Sequence, residues 1–154
     1  MHALRSLLAL FGLVLLVQPA PAQQPLQSFS KGELTIETAA GPKKFTIELA
    51  TTELQREQGL MYRTRMAANA GMLFIYPSVQ PIAMWMKNTY IPLDMVFIAA
   101  DGTIQNIQER AVPQSLATVA STGLAKAALE LNGGVVEQLG IKPGDKVIAT
   151  GLNQ

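Results

Sequence analysis

Trp85, Lys87, Asn88, Thr89 and Asp94 bring an indole, an ammonium, an amide, a hydroxyl and a carboxylate into one short stretch of chain. An exposed indole stacks on the apolar face of a sugar or similar ring, and a few polar neighbours fix its orientation. Strand alternation puts Ile82, Met84 and Met86 on one face and Ala83, Trp85 and Lys87 on the other. If the methionine face is core, the indole and the ammonium share the opposite face, where they can form a cation–π contact. A lone Trp also suits a core, with its N–H on a backbone carbonyl. Both readings stand at this level.

Two carboxylates have a claim to proton transfer. Asp94 follows Pro92 and precedes the most apolar segment, Met95 to Ala100, where partial desolvation would favour the protonated acid. The plainer role for it is to accept local backbone N–H groups and fix a turn. Glu130 lies between Leu129 and Leu131 and faces away from both. Two acids on one cleft resemble the catalytic set of a glycosidase, but sequence carries no distance between them. Glu130 also reads as an outward-facing acid or an ion-pair partner of Arg63, and Lys87 as a solvated charge or a partner of Asp94.

Other chemistry is excluded by composition. The chain has no Cys, and its one His is His2, so residues 23–154 hold neither a thiol nor an imidazole. Disulfides, a Cys nucleophile, a Ser-His-Asp triad and ordinary zinc sites are thereby removed. Met61, Met66, Met72, Met84, Met86 and Met95 surround the Trp, and thioethers bind Cu(I). Their spacing within apolar blocks is that of a core filled with adaptable side chains. No metal and no cofactor are expected.

The first 22 residues read as a cleaved signal peptide: Arg5, an apolar run from Leu7 to Val17, Pro19, then Ala20-Pro21-Ala22. The apolar run is short for a permanent span of a roughly 30 Å bilayer core. The expected product starts at Gln23 and is exported, periplasmic or extracellular. With Arg5 set aside, eleven basic residues face eleven acidic ones. That balance argues against nucleic acid and against a polybasic membrane patch.

The elements that must position these groups are mostly strands. Leu34 and Ile36 alternate with polar residues, Ala39 to Pro42 turn the chain, and Phe45, Ile47 and Leu49 alternate again, which predicts a hairpin. Thr52 and Gln55 form a capping box opening a short helix that Gly59 ends or relieves. Further strands are expected at Gly71 to Tyr76, Ile82 to Lys87, Met95 to Ala100, Thr103 to Gln108, Lys126 to Leu131 and Lys146 to Ala149, with a helical turn at Val135 to Leu139. Phe74, Val96, Phe97 and Ile98 are expected to be deeply buried. The pattern predicts residues 23–30 as a polar leader and 31–154 as one α+β, β-rich domain, a partly closed β-barrel with two short helices.

Four ordered blocks then carry a resemblance: Gly59-Leu60-Met61-Tyr62-Arg63, Gly71-Met72-Leu73-Phe74, Trp85-Met86-Lys87-Asn88-Thr89 and Pro92-Leu93-Asp94. With Leu129-Glu130-Leu131 and Gly140 to Val147, they resemble the bacterial family called domain of unknown function 192, over roughly Leu34 to Ala149. The resemblance implies a compact, often exported domain and supplies no catalytic residues. One departure is Ile82-Ala83-Met84, where an aromatic beside the Trp is expected. The expectation for function is a monomer that binds a small or glycan-like envelope ligand through Trp85, Lys87, Asn88, Thr89, Asp94 and Arg63. The alternatives are a hydrolase or lyase acting on envelope polysaccharide through Asp94 and Glu130, and a structural or protein-interaction module without ligand.

Overall fold

Alternating apolar residues pair first with their nearest neighbour in sequence. In the computed structural model, which describes residues 25–152, β1 (Ser30–Thr38) and β2 (Gly41–Ala50) form an antiparallel hairpin from Ser30 opposite Leu49 to Thr38 opposite Gly41. The signal segment and the expected start at Gln23 lie outside the described residues. Helix α1 (Glu53–Gln58) starts at the predicted capping box: the Thr52 hydroxyl accepts from Gln55 N–H, and the Gln55 side chain accepts from Thr52 N–H. The chain then enters β3 (Ala70–Met84), parallel to β2.

Residues 70–84 form one strand, where the prolines had suggested two. The register breaks between Ile75 and Gln80 and again between Pro81 and Ala83. Those irregularities accommodate Pro77 and Pro81, which cannot donate to a regular ladder. Strands β4 (Leu93–Ile98), β5 (Ile104–Ala111) and β6 (Val119–Asn132) follow, then helix α2 (Val135–Leu139) and β7 (Lys146–Ala149). Strand β6 begins well before the expected Lys126, because the small and polar residues from Val119 to Ala125 carry little strand pattern.

The sheet order is β5-β4-β6-β3-β2-β1-β7. Its two edge strands approach each other through a Thr103–Lys146 bridge, with Val147 N–H donating to Gly102 O at 2.8 Å and Ile104 N–H to Asp145 O at 2.9 Å. The result is the expected β-rich, partly closed barrel with two short helices. Opposite faces of the central strands bury different clusters. Leu73, Val96, Ile98, Leu129 and Leu131 join the hairpin and α2 in one. Met72, Phe74, Met95, Phe97 and Ala128 meet Leu60, Ile82 and Met86 in the other. Phe74, Val96, Phe97 and Ile98 are all buried, as expected. No helix among the described residues is long and apolar enough to cross a membrane.

Candidate functional site

At the end of β3 the alternation resolves as the methionine face predicted. Ile82 and Met86 enter the second cluster, while Trp85 stays 48% exposed. The Lys87 ammonium lies over the indole, 5.0 Å from its centroid. Lys87 makes no ion pair among the described residues. Beyond it the chain turns tightly: Asn88 takes a left-handed φ of 55°, and Thr89 N–H donates to Met86 O at 3.0 Å. The Thr89 side chain is buried, and its hydroxyl donates to Lys87 O at 3.3 Å.

Facing this lip is α1. Gly59, with φ 48°, ends the helix, and a Cβ there would sit 3.0 Å from the Phe74 ring. Only glycine combines that backbone with so close an approach, so α1 packs tightly on β3. The packing sends Arg56 across the strand end: its guanidinium donates to Thr51 O at 2.7 Å and Ile75 O at 3.0 Å, and lies 5.1 Å from the Tyr76 ring centroid. Between the lip and α1 lies a cleft of about 740 Å³, lined in part by Arg56, Tyr76, Trp85, Lys87, Thr89 and Glu130.

Glu130 is the unusual group. It stands on β6 opposite Met72 of β3 and Met95 of β4, on the face of the second cluster. Gly71 permits this packing, since a Cβ on it would fall 2.7 Å from the Glu130 carbonyl oxygen. The residue is 4% exposed. Burial alone pushes its carboxyl from 4.5 up to about 8, so it is mainly protonated near neutral pH. Burial also raises the Tyr76 hydroxyl, with Arg56 pulling it down and Glu130 pushing it further up. The cleft therefore offers an aromatic platform, two cations and two neutral hydroxyl donors.

The other expected site residues lie elsewhere. Asp94 pairs with Leu131 in the sheet, one position out of step with Glu130, and so points to the opposite face. Asp94 and Glu130 therefore share no cleft. Asp94 is fully buried, and its carboxylate accepts Arg110 N–H at 2.8 Å, Gly134 N–H at 2.9 Å and Val136 N–H at 2.9 Å. It holds the turn into α2 through donors distant in sequence, where the plainer reading expected local ones, and it is neither at the Trp85 edge nor paired with Lys87. Arg63 pairs with Glu48 rather than Glu130 and lines a separate cleft. The Asn88 amide donates to the Tyr62 hydroxyl at 3.1 Å and is not among the residues lining the cleft. Sequence reading missed Arg56 and Tyr76. Strand parity with Met72 and Phe74 would have placed Tyr76, and the capping box would have placed Arg56 on a helix.

The model of the family domain of unknown function 192, described as Uncharacterized ACR, matches residues 34–149. The chain belongs to this family. Within the family match fall all the residues of the cleft, and the family description names no activity. A candidate transcription regulator from Sinorhizobium meliloti 1021 is 49% identical, with a TM-score of 0.78, the match covering 81% of this chain and 98% of that one. A protein of unknown function from Novosphingobium aromaticivorans DSM 12444 is 38% identical, also with a TM-score of 0.78, covering 84% and 93%. No curated protein matches the sequence.

Proposed function

We propose that the chain is an exported domain that binds a small, glycan-like envelope ligand in the cleft beside Trp85. The observation that carries this reading is a half-exposed indole standing at the lip of a cleft whose inner wall holds a buried acid. Ligand sites are concave and mostly apolar, with a few converging polar groups, and about 740 Å³ falls within their usual size range. Export is supported by the signal-like first 22 residues, and it is what makes envelope glycans the relevant ligands.

The reading favours binding over turnover by the Asp94–Glu130 pair. Glycosidase chemistry with two acids needs both on one cleft at a separation of roughly 5–10 Å. Asp94 is held on the other face of the sheet by three backbone N–H groups. Nor does the balance of eleven bases against eleven acids favour the nucleic-acid role suggested by the Sinorhizobium relative's description.

Retention on purified peptidoglycan and on immobilised glycans tests the proposal. Wild type should be retained, and Trp85→Ala, with an unchanged circular dichroism spectrum, should lose retention. Equal retention of the folded variant would contradict the reading. For export, the mass of protein from the periplasmic or secreted fraction should match a chain starting at Gln23. A membrane-bound product keeping Met1 would contradict that part.

A further inference from the structure

Resting on the binding reading above, we propose that the cleft selects an amide-bearing ligand, of the N-acetylated amino sugar class, through a hydrogen bond donated by the Glu130 carboxyl to the amide carbonyl oxygen. Glu130 lines the cleft while being almost wholly buried. No hydrogen bond or charge from the protein contributes to its shift, which burial alone produces. Its carboxyl makes no hydrogen bond among the described residues and borders the cleft, where a ligand group can supply the partner. In its protonated state the carboxyl is a strong donor and needs an acceptor.

The surroundings define that acceptor. From β3, Tyr76 faces Glu130 with a hydroxyl; from α1, Arg56 reaches the cleft, with Glu53 and Glu57 further along the helix; from the lip comes Lys87. Beside Glu130 in the sheet, β3 and β4 contribute only Met72 and Met95. An anionic ligand group placed against Glu130 would be buried beside an acid, with Arg56 already donating to two carbonyls and Lys87 held over the indole at the lip. An ammonium group would meet the repulsion of Arg56 and Lys87. A neutral amide carbonyl satisfies the acid without either penalty. The methyl of an acetamido group adds apolar surface, and Leu60, Phe74 and Met84 line the same cleft to receive it. The sugar ring would then lie at the Trp85 lip.

Isothermal titration calorimetry of the purified protein with three probes tests the inference: triacetylchitotriose, its deacetylated form, and cellotriose. Near pH 6 the acetylated probe should bind at least about tenfold tighter than the other two. Raising the pH to about 9 should weaken it roughly tenfold, as the Glu130 carboxyl ionises. Glu130→Gln keeps an N–H donor, so it should retain the preference with a flat pH profile. Glu130→Leu, checked for folding, should lose the preference. Equal affinities for acetylated and plain probes, or an unchanged preference and pH profile in Glu130→Leu, would overturn this inference and leave the saccharide reading standing. No binding of any probe to the folded wild type would overturn both.

Discussion

Glu130 and Trp85 mark the two ends of the cleft, a buried acid in its wall and a half-exposed indole at its lip. The alternation of Ile82, Ala83, Met84, Trp85 and Met86 fixed which residues share a face, and the exposed indole follows once the methionines are core. The same parity put Glu130 away from its leucine neighbours, and there it is. What parity cannot say is whether that second face is covered. Leu60, Met66, Met86 and Ile91, from segments distant in sequence, join the cluster on that face, and Glu130 is 4% exposed there. This has a consequence for stability. The folded state holds the Glu130 proton more tightly than the unfolded chain, so unfolding releases it as pH rises. The contribution is full below about 4.5 and is lost progressively towards about 8. We expect wild type to lose roughly 3–5 kcal/mol relative to Glu130→Gln across that window. Urea denaturation at a series of pH values checks this, and parallel curves for the two proteins would contradict it.

At the scale of elements, Asp94 joins parts that lie far apart in sequence. Its donors come from the end of β5 and from the turn entering α2, the last two 40 and 42 residues away. No local pattern announces such partners, which is why Pro92-Leu93-Asp94 read as a local turn with a site as the alternative. The elements themselves were more legible. The hairpin, the capping box, α2 and β7 stand where period and turn residues put them, because local chemistry decides them. The front of β6 was not, since Gly123 and its small neighbours are held there by pairing with β3. Asp94→Ala would strand three N–H donors beside a buried gap. It should destabilise the domain by about 3–5 kcal/mol, read from the thermal or urea midpoint. Asp94→Asn should recover only part of this, because one oxygen is replaced by a donor. Near-wild-type stability of Asp94→Ala would show that the cap is not what joins these elements.

For the whole molecule, a seven-stranded sheet whose edges meet at Thr103 and Lys146 holds the cleft on one face and the Asp94 cap on the other. Closure is reinforced at Asp101, whose carboxylate accepts from Thr103 N–H at 2.9 Å and from the Lys146 ammonium at 3.0 Å; these bonds hold its carboxyl near 2. The fold class was readable from composition and period, since many short strands with turns leave few other solutions. The cleft was not, because it forms between α1, the end of β3 and the middle of β6. Occupation of the cleft can be read directly, because Trp85 is the only Trp in the chain. Intrinsic fluorescence of the purified protein, titrated with soluble peptidoglycan fragments, reports on the lip alone. The emission should shift and saturate with added fragment, and triacetylchitotriose, which seats its sugar ring at the same lip, should produce a saturable shift of its own. Saturable binding of the fragments by calorimetry with no change in Trp85 emission would place the ligand elsewhere and contradict the account.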